Sequence, residues 1–440
     1  IVANVQDPVA VQARTIRLDA MKRQMNLDPR IRLMYSAKAN NIANGWKKWQ
    51  GEMKGIKDCG VIRKKESSEA EFQYWVERQY AGNRPNIMLL EDMKTLYKDD
   101  YKQVKINTYT GECFFGTELI RNLLHPYCQL LIRPARSNSD SIIDKNRQKL
   151  LKNNEGFRES YYQPIDKECF VELLTYYFTT QDPDLIPKDL HKYILDENTV
   201  RQLMTALWNK SATTAPYFTD NEKYMNFLKN ATPKQILKTE NSELLHIYEV
   251  IYQQYVENSV ALDKTEELLN GKYRTYVKLL MEKDTNKVFY PDANLTMRVT
   301  YGQVKGFEPQ DGEQYNYYTT LDGIMQKENP NVYDYKVDPK LKQLWENKDY
   351  GRYANKNGEL PVAFIASNHT TGGNSGSPVI NAEGQLIVTN FDRVWEGTMS
   401  DIYYDVTRCR NISLDARYFL FIVDKFAGAQ NLIQEMTIVE

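Results

Sequence analysis

Residues 371–378 read Thr-Gly-Gly-Asn-Ser-Gly-Ser-Pro, and this glycine-rich stretch is the most informative one in the 440-residue chain. A serine that attacks an acyl group needs a tight loop that exposes its hydroxyl and aims backbone N–H groups at the developing oxyanion. Gly373 and Gly376 permit such a loop because glycine accepts backbone conformations that other residues avoid. We therefore predict that Ser375 is a nucleophile and that the N–H groups of Gly373 and Ser375 form its oxyanion hole.

A glycine-rich hairpin turn without chemistry is the alternative explanation of a short Gly-x-Ser-Gly motif. The longer GGNSGSP at residues 372–378 lies between two strand candidates and resembles the nucleophile loop of chymotrypsin-fold peptidases, which usually reads Gly-Asp-Ser-Gly-Gly-Pro. Asn374 stands where that loop usually has aspartate. This replacement argues against activation of a zymogen through a buried N-terminal salt bridge.

Residues 1–290 predict an all-α domain. N-cap residues precede a proline at Asp28-Pro29 and at Thr232-Pro233, and Gln235 completes a capping box at the second position. Two sets of apolar residues recur at helical spacing on one face, namely Val11, Leu18, Met21 and Met25, and Leu244, Tyr248, Ile251 and Tyr255.

After residue 290 the hydrophobic period changes to that of β-strands. Apolar and polar residues alternate from Leu295 to Tyr301. Further strand candidates are residues 361–366, 378–381, 385–391 and 417–424, and a last helix is predicted from about 428 to 436. The fold class is thus α+β, with a helical domain over 1–290 and an antiparallel β-barrel or sandwich over 291–440.

Charge and hydropathy exclude two classes of partner. Lys and Arg number 57 against 58 Asp and Glu, which argues against a phosphate-neutralising surface for nucleic acid. No apolar run reaches the length of a membrane span. The chain begins at Ile1 without a signal region, so we expect the natural start to lie outside this sequence.

A serine nucleophile needs a histidine base, and the chain has only four histidines. His125, His191 and His246 fall in helical segments, where surface or packing roles are expected. His369 lies six residues before Ser375, and we expect it to line the site or face solvent. The catalytic His and Asp are therefore predicted to lie on a segment absent from this chain.

Five segments carry a resemblance to a known family. These are residues 372–381 (GGNSGSPVIN), Phe289–Asn294, Arg298–Gly302, Tyr318–Leu321 and Phe391–Asp392. Over its whole length the chain resembles the C-terminal part of the S46 family of bacterial dipeptidyl peptidases. In that family a helical cap is inserted between the two barrels of a chymotrypsin fold, after the catalytic His and Asp. The resemblance implies that 1–290 form the cap and 291–440 the second barrel.

The resemblance also implies how a substrate is held. Asp392 matches the family's carboxylate for the substrate's α-ammonium, and Asn44 of the cap is expected to assist, although a solvent-facing helix amide explains Asn44 equally well. Arg393 corresponds to a wall of the S1 pocket, where it would favour an acidic P1 side chain. That feature is similar to the dipeptidyl peptidase 11 branch, which cleaves after Asp or Glu. The alternative is that Arg393 pairs with Asp392 and faces solvent.

The leading hypothesis is a serine exopeptidase that releases N-terminal dipeptides ending in Asp or Glu. An acidic-specific serine endopeptidase, and a catalytically incomplete fragment with only a binding or structural role, are the alternatives. The resemblance implies no cofactor and no metal, and it implies peptide substrates with a free N-terminus. It also implies pairing with an N-terminal barrel segment of the same protein, a homodimer, and the periplasm or cell surface of a Gram-negative bacterium.

Overall fold

The computed structural model describes residues 1–137, 140–291 and 294–439. Asp292 and Ala293, which belong to the predicted motif Phe289–Asn294, lie outside the described residues. Within the described ranges, no helix is long and apolar enough to cross a bilayer.

Contacts between residues divide the chain into two compact units. Unit 1 comprises Ile1–Gln50 and Lys65–Phe289, and unit 2 comprises Gly51–Lys64 and Tyr290–Glu440. Residues 51–64 group with the second unit, which the continuous predicted ranges 1–290 and 291–440 do not anticipate. Hydrophobic periodicity identifies a helix there but does not reveal what the end of that helix packs against.

Unit 1 is helical, as predicted. Helices α1 to α13 carry most of this unit, although the ends of α2 and α3 belong to unit 2. Their bounds are Asp7–Leu27, Pro29–Asp58, Val61–Gln79, Arg84–Ile87, Leu89–Tyr109, His125–Tyr127, Arg133–Arg136, Asp140–Glu159, Gln163–Thr180, Glu197–Lys210, Asn221–Asn230, Pro233–Lys238 and Glu243–Lys283. Short π-helical segments, at Val2–Gln6, Thr110–Phe114, Ile120–Leu124 and Cys128–Ile132, precede or follow several of them.

The predicted helix starts and core faces of unit 1 are confirmed. Asp28 accepts a hydrogen bond from the Arg30 N–H at 2.8 Å, and α2 begins at Pro29. Thr232 and Gln235 form the predicted capping box at the start of α12. The two predicted apolar faces also contribute to one large core, through Leu18, Met21, Met25, Leu244, Tyr248 and Ile251.

Among its described residues, unit 2 contains seven short strands and four short α-helices, besides the ends of α2 and α3. The strands β1 to β7 are Phe307–Gln310, Glu313–Tyr315, Tyr318–Thr320, Pro361–Ala366, Pro378–Ile380, Leu386–Arg393 and Asn411–Leu414. The helices α14 to α17 are Leu321–Gln326, Pro339–Glu346, Ala416–Phe421 and Gln430–Glu435. Strands β1 and β2 form a hairpin, and the others form an antiparallel sheet in the order β3-β4-β7-β6-β5.

The sheet of unit 2 is open among the described residues. Strands β3 and β5 form its two edges, so it does not close into the predicted barrel. The strands that sequence periodicity predicted at 361–366, 378–381 and 385–391 are confirmed as β4, β5 and β6, and the predicted last helix is α17.

Two predicted strands are wrong. Residues 295–301 form no strand, and Leu295 and Met297 are almost fully exposed. A two-residue alternation gives a strand only when a neighbouring strand and a covering layer are available. Residues 417–424 are helical instead, because the Asp415 side chain caps α16 by accepting from the Arg417 N–H and Phe421 is buried in the core of unit 2.

Two glycines of α2 allow its last turns to lie close to the 3-10 helix Trp395–Asp401 of unit 2. A Cβ added at Gly51 would lie 2.3 Å from the Thr398 hydroxyl oxygen, and one at Gly55 would lie 2.8 Å from the Met399 sulfur. These separations are too short for a real Cβ atom, so a side chain at either position would displace Thr398 or Met399.

A buried carboxylate organises the middle of unit 1. Asp166 accepts the N–H groups of Glu118 and Leu119 at 2.7 Å each and the Tyr161 hydroxyl at 3.0 Å. Burial, together with the negative charge of Glu118, raises the pKa of Asp166 to about 7. The folded unit therefore holds a carboxyl group that is easier to ionise after unfolding.

We expect Asp166→Asn to flatten the pH dependence of stability. Because the folded pKa lies above the ordinary value of 3.8, the contribution of Asp166 is complete below pH 3.8 and is lost as the pH rises towards about 7. The loss amounts to at most about 1.4 kcal/mol per pH unit. Urea unfolding followed by circular dichroism at pH 5 and pH 8 measures it. Equal pH slopes for the wild type and Asp166→Asn, with exposed Asp19→Asn as control, would contradict the prediction.

Candidate active site

The predicted serine loop joins β4 to β5 and is built from two consecutive turns. The Asn374 N–H donates to the Thr371 carbonyl at 3.2 Å, and the Ser377 N–H donates to the Asn374 carbonyl at 3.0 Å. The Asn374 side chain accepts from the Thr371 N–H at 3.0 Å, so this residue braces the first turn.

The two glycines that the sequence singled out hold conformations that require glycine. Gly373 has a φ of 102° and Gly376 a φ of 84°, both in the left-handed region. A side chain at either position would strain the loop. The turn therefore depends on the Gly-x-x-Gly spacing on either side of Ser375.

Ser375 is exposed, and its hydroxyl donates to the Phe391 carbonyl at 3.3 Å. No acceptor among the described residues is bound by the N–H of Gly373 or of Ser375. An exposed hydroxyl beside two N–H groups that lack a protein acceptor is the arrangement that attack on a carbonyl group requires. The assignment of nucleophile and oxyanion hole stays a prediction, which this geometry suits.

Asn390, on strand β6, fastens the loop to the sheet. Its N–H donates to the Ser377 carbonyl at 2.9 Å, and its carbonyl accepts from the Gly376 N–H at 2.8 Å. Its buried side chain donates to the Asn374 carbonyl at 3.2 Å and accepts from the Asn411 amide at 2.9 Å. The loop is thus held at both its turns by a single residue.

His369 is engaged by other groups. Its Nε2 lies 3.2 Å from the Ser400 carbonyl and its Nδ1 lies 3.0 Å from the Tyr290 hydroxyl. Because a carbonyl only accepts, Nε2 donates and Nδ1 accepts from Tyr290. His369 therefore orders the segment around Ser400 and has no hydrogen bond to Ser375 among the described contacts.

The other histidines pack within unit 1 or face solvent. His125 contacts the Tyr248 hydroxyl at 2.8 Å, His191 contacts the Ile186 carbonyl at 3.0 Å, and His246 is exposed. These positions agree with the surface and packing roles expected for them. The described residues contain no group of three or more His, Cys, Asp or Glu side chains arranged to hold a metal ion.

Asp392 and Arg393 end strand β6 next to an irregularity in its pairing with β7. Among the described residues, the Asp392 carboxylate accepts from the backbone N–H of Arg393, at 2.8 Å. The Arg393 guanidinium instead binds the Asp401 carboxylate, with Nη1 at 2.7 Å from Oδ1. The alternative in which the side chains of Arg393 and Asp392 pair and face solvent is therefore wrong, because only 16% of the Arg393 side chain is exposed.

Sequence reasoning missed Ser400 and Asp401. Both lie in the 3-10 helix Trp395–Asp401, and the Ser400 hydroxyl accepts from Arg393 Nη1 at 2.6 Å. A nearby acidic residue after a candidate binding arginine was the available signal. Asn44 lies on α2 in unit 1, where its side chain is exposed, and its role stays a prediction.

We expect Asn390→Ala to lower the free energy of unfolding by about 1–3 kcal/mol, because it removes two buried hydrogen bonds, one to the Asn374 carbonyl and one from the Asn411 amide. Urea denaturation measures the change. Asn347→Ala, at an exposed position after α15, is the matched control and should alter stability by less than about 0.5 kcal/mol. A loss no larger than that of the control would show that Asn390 does not hold the loop.

Comparison with known proteins shows what this chain is similar to. The chain is 37% identical over 452 residues to the Asp/Glu-specific dipeptidyl-peptidase of Capnocytophaga gingivalis, covering 100% of this chain and 60% of that protein. It is 33% identical over 439 residues to the dipeptidyl-peptidase 7 of Phocaeicola vulgatus, covering 98% of this chain and 58% of that protein. The chain thus spans about three fifths of the length of the curated relatives it matches.

A solved structure agrees with the fold described above. The crystal structure of Porphyromonas endodontalis DPP11 in complex with the dipeptide Arg-Glu matches with a TM-score of 0.85 and 31% identity, covering 98% of this chain and 60% of that one. The family described as Peptidase S46 matches residues 2–438. This chain therefore belongs to the peptidase S46 family.

Proposed function

We propose that the protein containing this chain is a serine exopeptidase that releases N-terminal dipeptides ending in Asp or Glu. The observation that carries the proposal is the serine loop held by Asn390 beside the largely buried Arg393 guanidinium, in a chain that resembles Asp/Glu-specific dipeptidyl-peptidases over its full length. A guanidinium at that place can donate charge-assisted hydrogen bonds to the carboxylate of an acidic side chain.

In this proposal Ser375 attacks the carbonyl carbon of the second substrate residue, and the peptide bond to the third residue is cleaved. Its hydroxyl proton passes to a histidine supplied from outside this chain, and the N–H groups of Gly373 and Ser375 stabilise the oxyanion. The protonated histidine then gives the proton to the leaving amine. Water hydrolyses the acyl-enzyme and releases the dipeptide.

The substrate's two ends are held by different groups. Asp392 binds the α-ammonium, and Arg393 binds the acidic P1 side chain. The exposure of the Asp392 carboxylate, which has one backbone N–H donor, leaves it acceptor capacity for an ammonium group.

The same resemblance supports a wider assembly. The open sheet of unit 2 contributes to the second barrel of a chymotrypsin-type pair, and an N-terminal barrel segment of the same protein supplies the catalytic His and Asp. The assembled enzyme is a homodimer in the periplasm or at the cell surface of a Gram-negative bacterium, and it needs no cofactor.

Hydrolysis of a free-amine X-Asp fluorogenic dipeptide by the full-length protein tests the exopeptidase. We expect release from this substrate, none from its N-blocked counterpart, and a loss on the order of a thousandfold or more in Ser375→Ala. Cleavage of the blocked substrate would support an acidic-specific endopeptidase instead. If the full-length protein cleaves neither substrate, the chain has only a binding or structural role.

Replacing Arg393 tests the acidic specificity. We expect Arg393→Gly to lower kcat/KM for X-Asp by roughly a hundredfold, because charge-assisted hydrogen bonds worth about 3 kcal/mol are lost, while preference shifts towards apolar P1 residues. Arg393→Lys keeps the charge without the planar fork and should fall in between. Unchanged selectivity in Arg393→Gly would show that Arg393 does not bind the P1 side chain.

A further inference from the structure

The Arg393 guanidinium is held at one end by three protein groups. Nη1 binds Asp401 Oδ1 at 2.7 Å and the Ser400 hydroxyl at 2.6 Å, with the Thr370 carbonyl more distant at 3.5 Å. Nη2 contacts Asp401 Oδ2 at 3.3 Å. The Asp401 carboxylate therefore lies end-on against the two terminal nitrogens.

This arrangement leaves one complete edge of the guanidinium available. An arginine has five N–H donors in a planar fork, and the Nε–H lies parallel to the second N–H of Nη2. No acceptor among the described residues is bound by Nε of Arg393. Nε and Nη2 can together bind a second carboxylate side-on while Asp401 keeps its place.

The partners of Arg393 are themselves held in place. Ser400 is 4% exposed, and its carbonyl accepts from His369 Nε2 at 3.2 Å. The Asp401 side chain is 25% exposed and follows directly in the same 3-10 helix. Hydrogen bonds to Ser400 and Asp401 thus set the orientation of the guanidinium.

We propose that Asp401 is a positioning residue of the S1 pocket, which holds Arg393 with Ser400 so that the Nε and Nη2 edge meets the P1 carboxylate. The inference rests on the proposed function. Because Asp401 balances much of the arginine charge, the pocket selects a carboxylate by paired hydrogen bonds in fixed geometry more than by net positive charge.

A competing arrangement has Asp401 occupying the place of the substrate carboxylate until the substrate displaces it. The two arrangements predict opposite effects of removing Asp401. If Asp401 positions the guanidinium, its loss lets the guanidinium move and weakens the binding of acidic substrates. If Asp401 competes with the substrate, its loss frees the guanidinium and strengthens that binding. The end-on position of Asp401 favours the first.

Kinetics of the full-length protein on X-Asp, X-Glu and X-Met substrates with free amines decide between them. We expect Asp401→Ala to raise KM for X-Asp and to lower the ratio of kcat/KM for X-Asp over X-Met by roughly tenfold. Asp401→Asn keeps one oxygen for Nη1 and should lose about threefold. Ser400→Ala should shift the ratio in the same direction, and the preference between Asp and Glu should relax in all three variants.

A ratio in Asp401→Ala equal to or above that of the wild type would overturn the proposal. Arg393→Ala separates this failure from failure of the proposed function. If Arg393→Ala keeps the acidic preference, Arg393 is not the P1 partner. If it loses the preference while Asp401→Ala does not, only the positioning role is wrong. Should Asp401→Ala fail to fold, the ratios of Asp401→Asn and Ser400→Ala decide in the same way.

Discussion

The buried side-chain amide of Asn390 holds the serine loop, strand β6 and strand β7 in one arrangement. It donates to the loop through Asn374 and accepts from Asn411, while its backbone pairs with Ser377 and Gly376. In a buried setting each of these polar groups is costly to leave unpaired. The sheet therefore fixes where the loop lies.

The residues that follow Asn390 along β6 inherit this placement. The Phe391 carbonyl accepts from the Ser375 hydroxyl. Arg393, two positions after Phe391, binds the Asp401 carboxylate. The candidate nucleophile and the candidate specificity residue are thus positioned by the same eight-residue strand. A shift of that strand would move both residues. The polar contacts of Asn390 hold the strand in its place.

The serine loop could be predicted from the sequence because its conformation is local. The turns at Gly373 and Gly376 have left-handed backbone angles, which glycine accepts and other residues avoid. The caps at Asp28 and Thr232 involve neighbours in sequence. Asp401 could not be predicted in this way. Its partnership with Arg393 depends on how a 3-10 helix returns to the end of β6.

The two wrong strands have a related cause. Alternation at 295–301 indicates only that a strand there would have an apolar and a polar face, and these residues pair with no strand of the described sheet. At 417–424 a continuous apolar run fits a strand and a helix equally well, and the Asp415 cap decides for the helix. The predicted barrel depends on closure, which pairing among the described strands does not provide.

The glycines of α2 connect distant parts of the sequence. Gly55 contacts Met399, one residue before Ser400 and two before Asp401, although more than three hundred residues separate them along the chain. In evolutionary terms a bulkier residue at 55 favours a smaller one at 399, because a Cβ at 55 would displace the Met399 side chain. A substitution in the first sixty residues can therefore displace Ser400 and Asp401, which bind the Arg393 guanidinium, although it lies far from them in sequence.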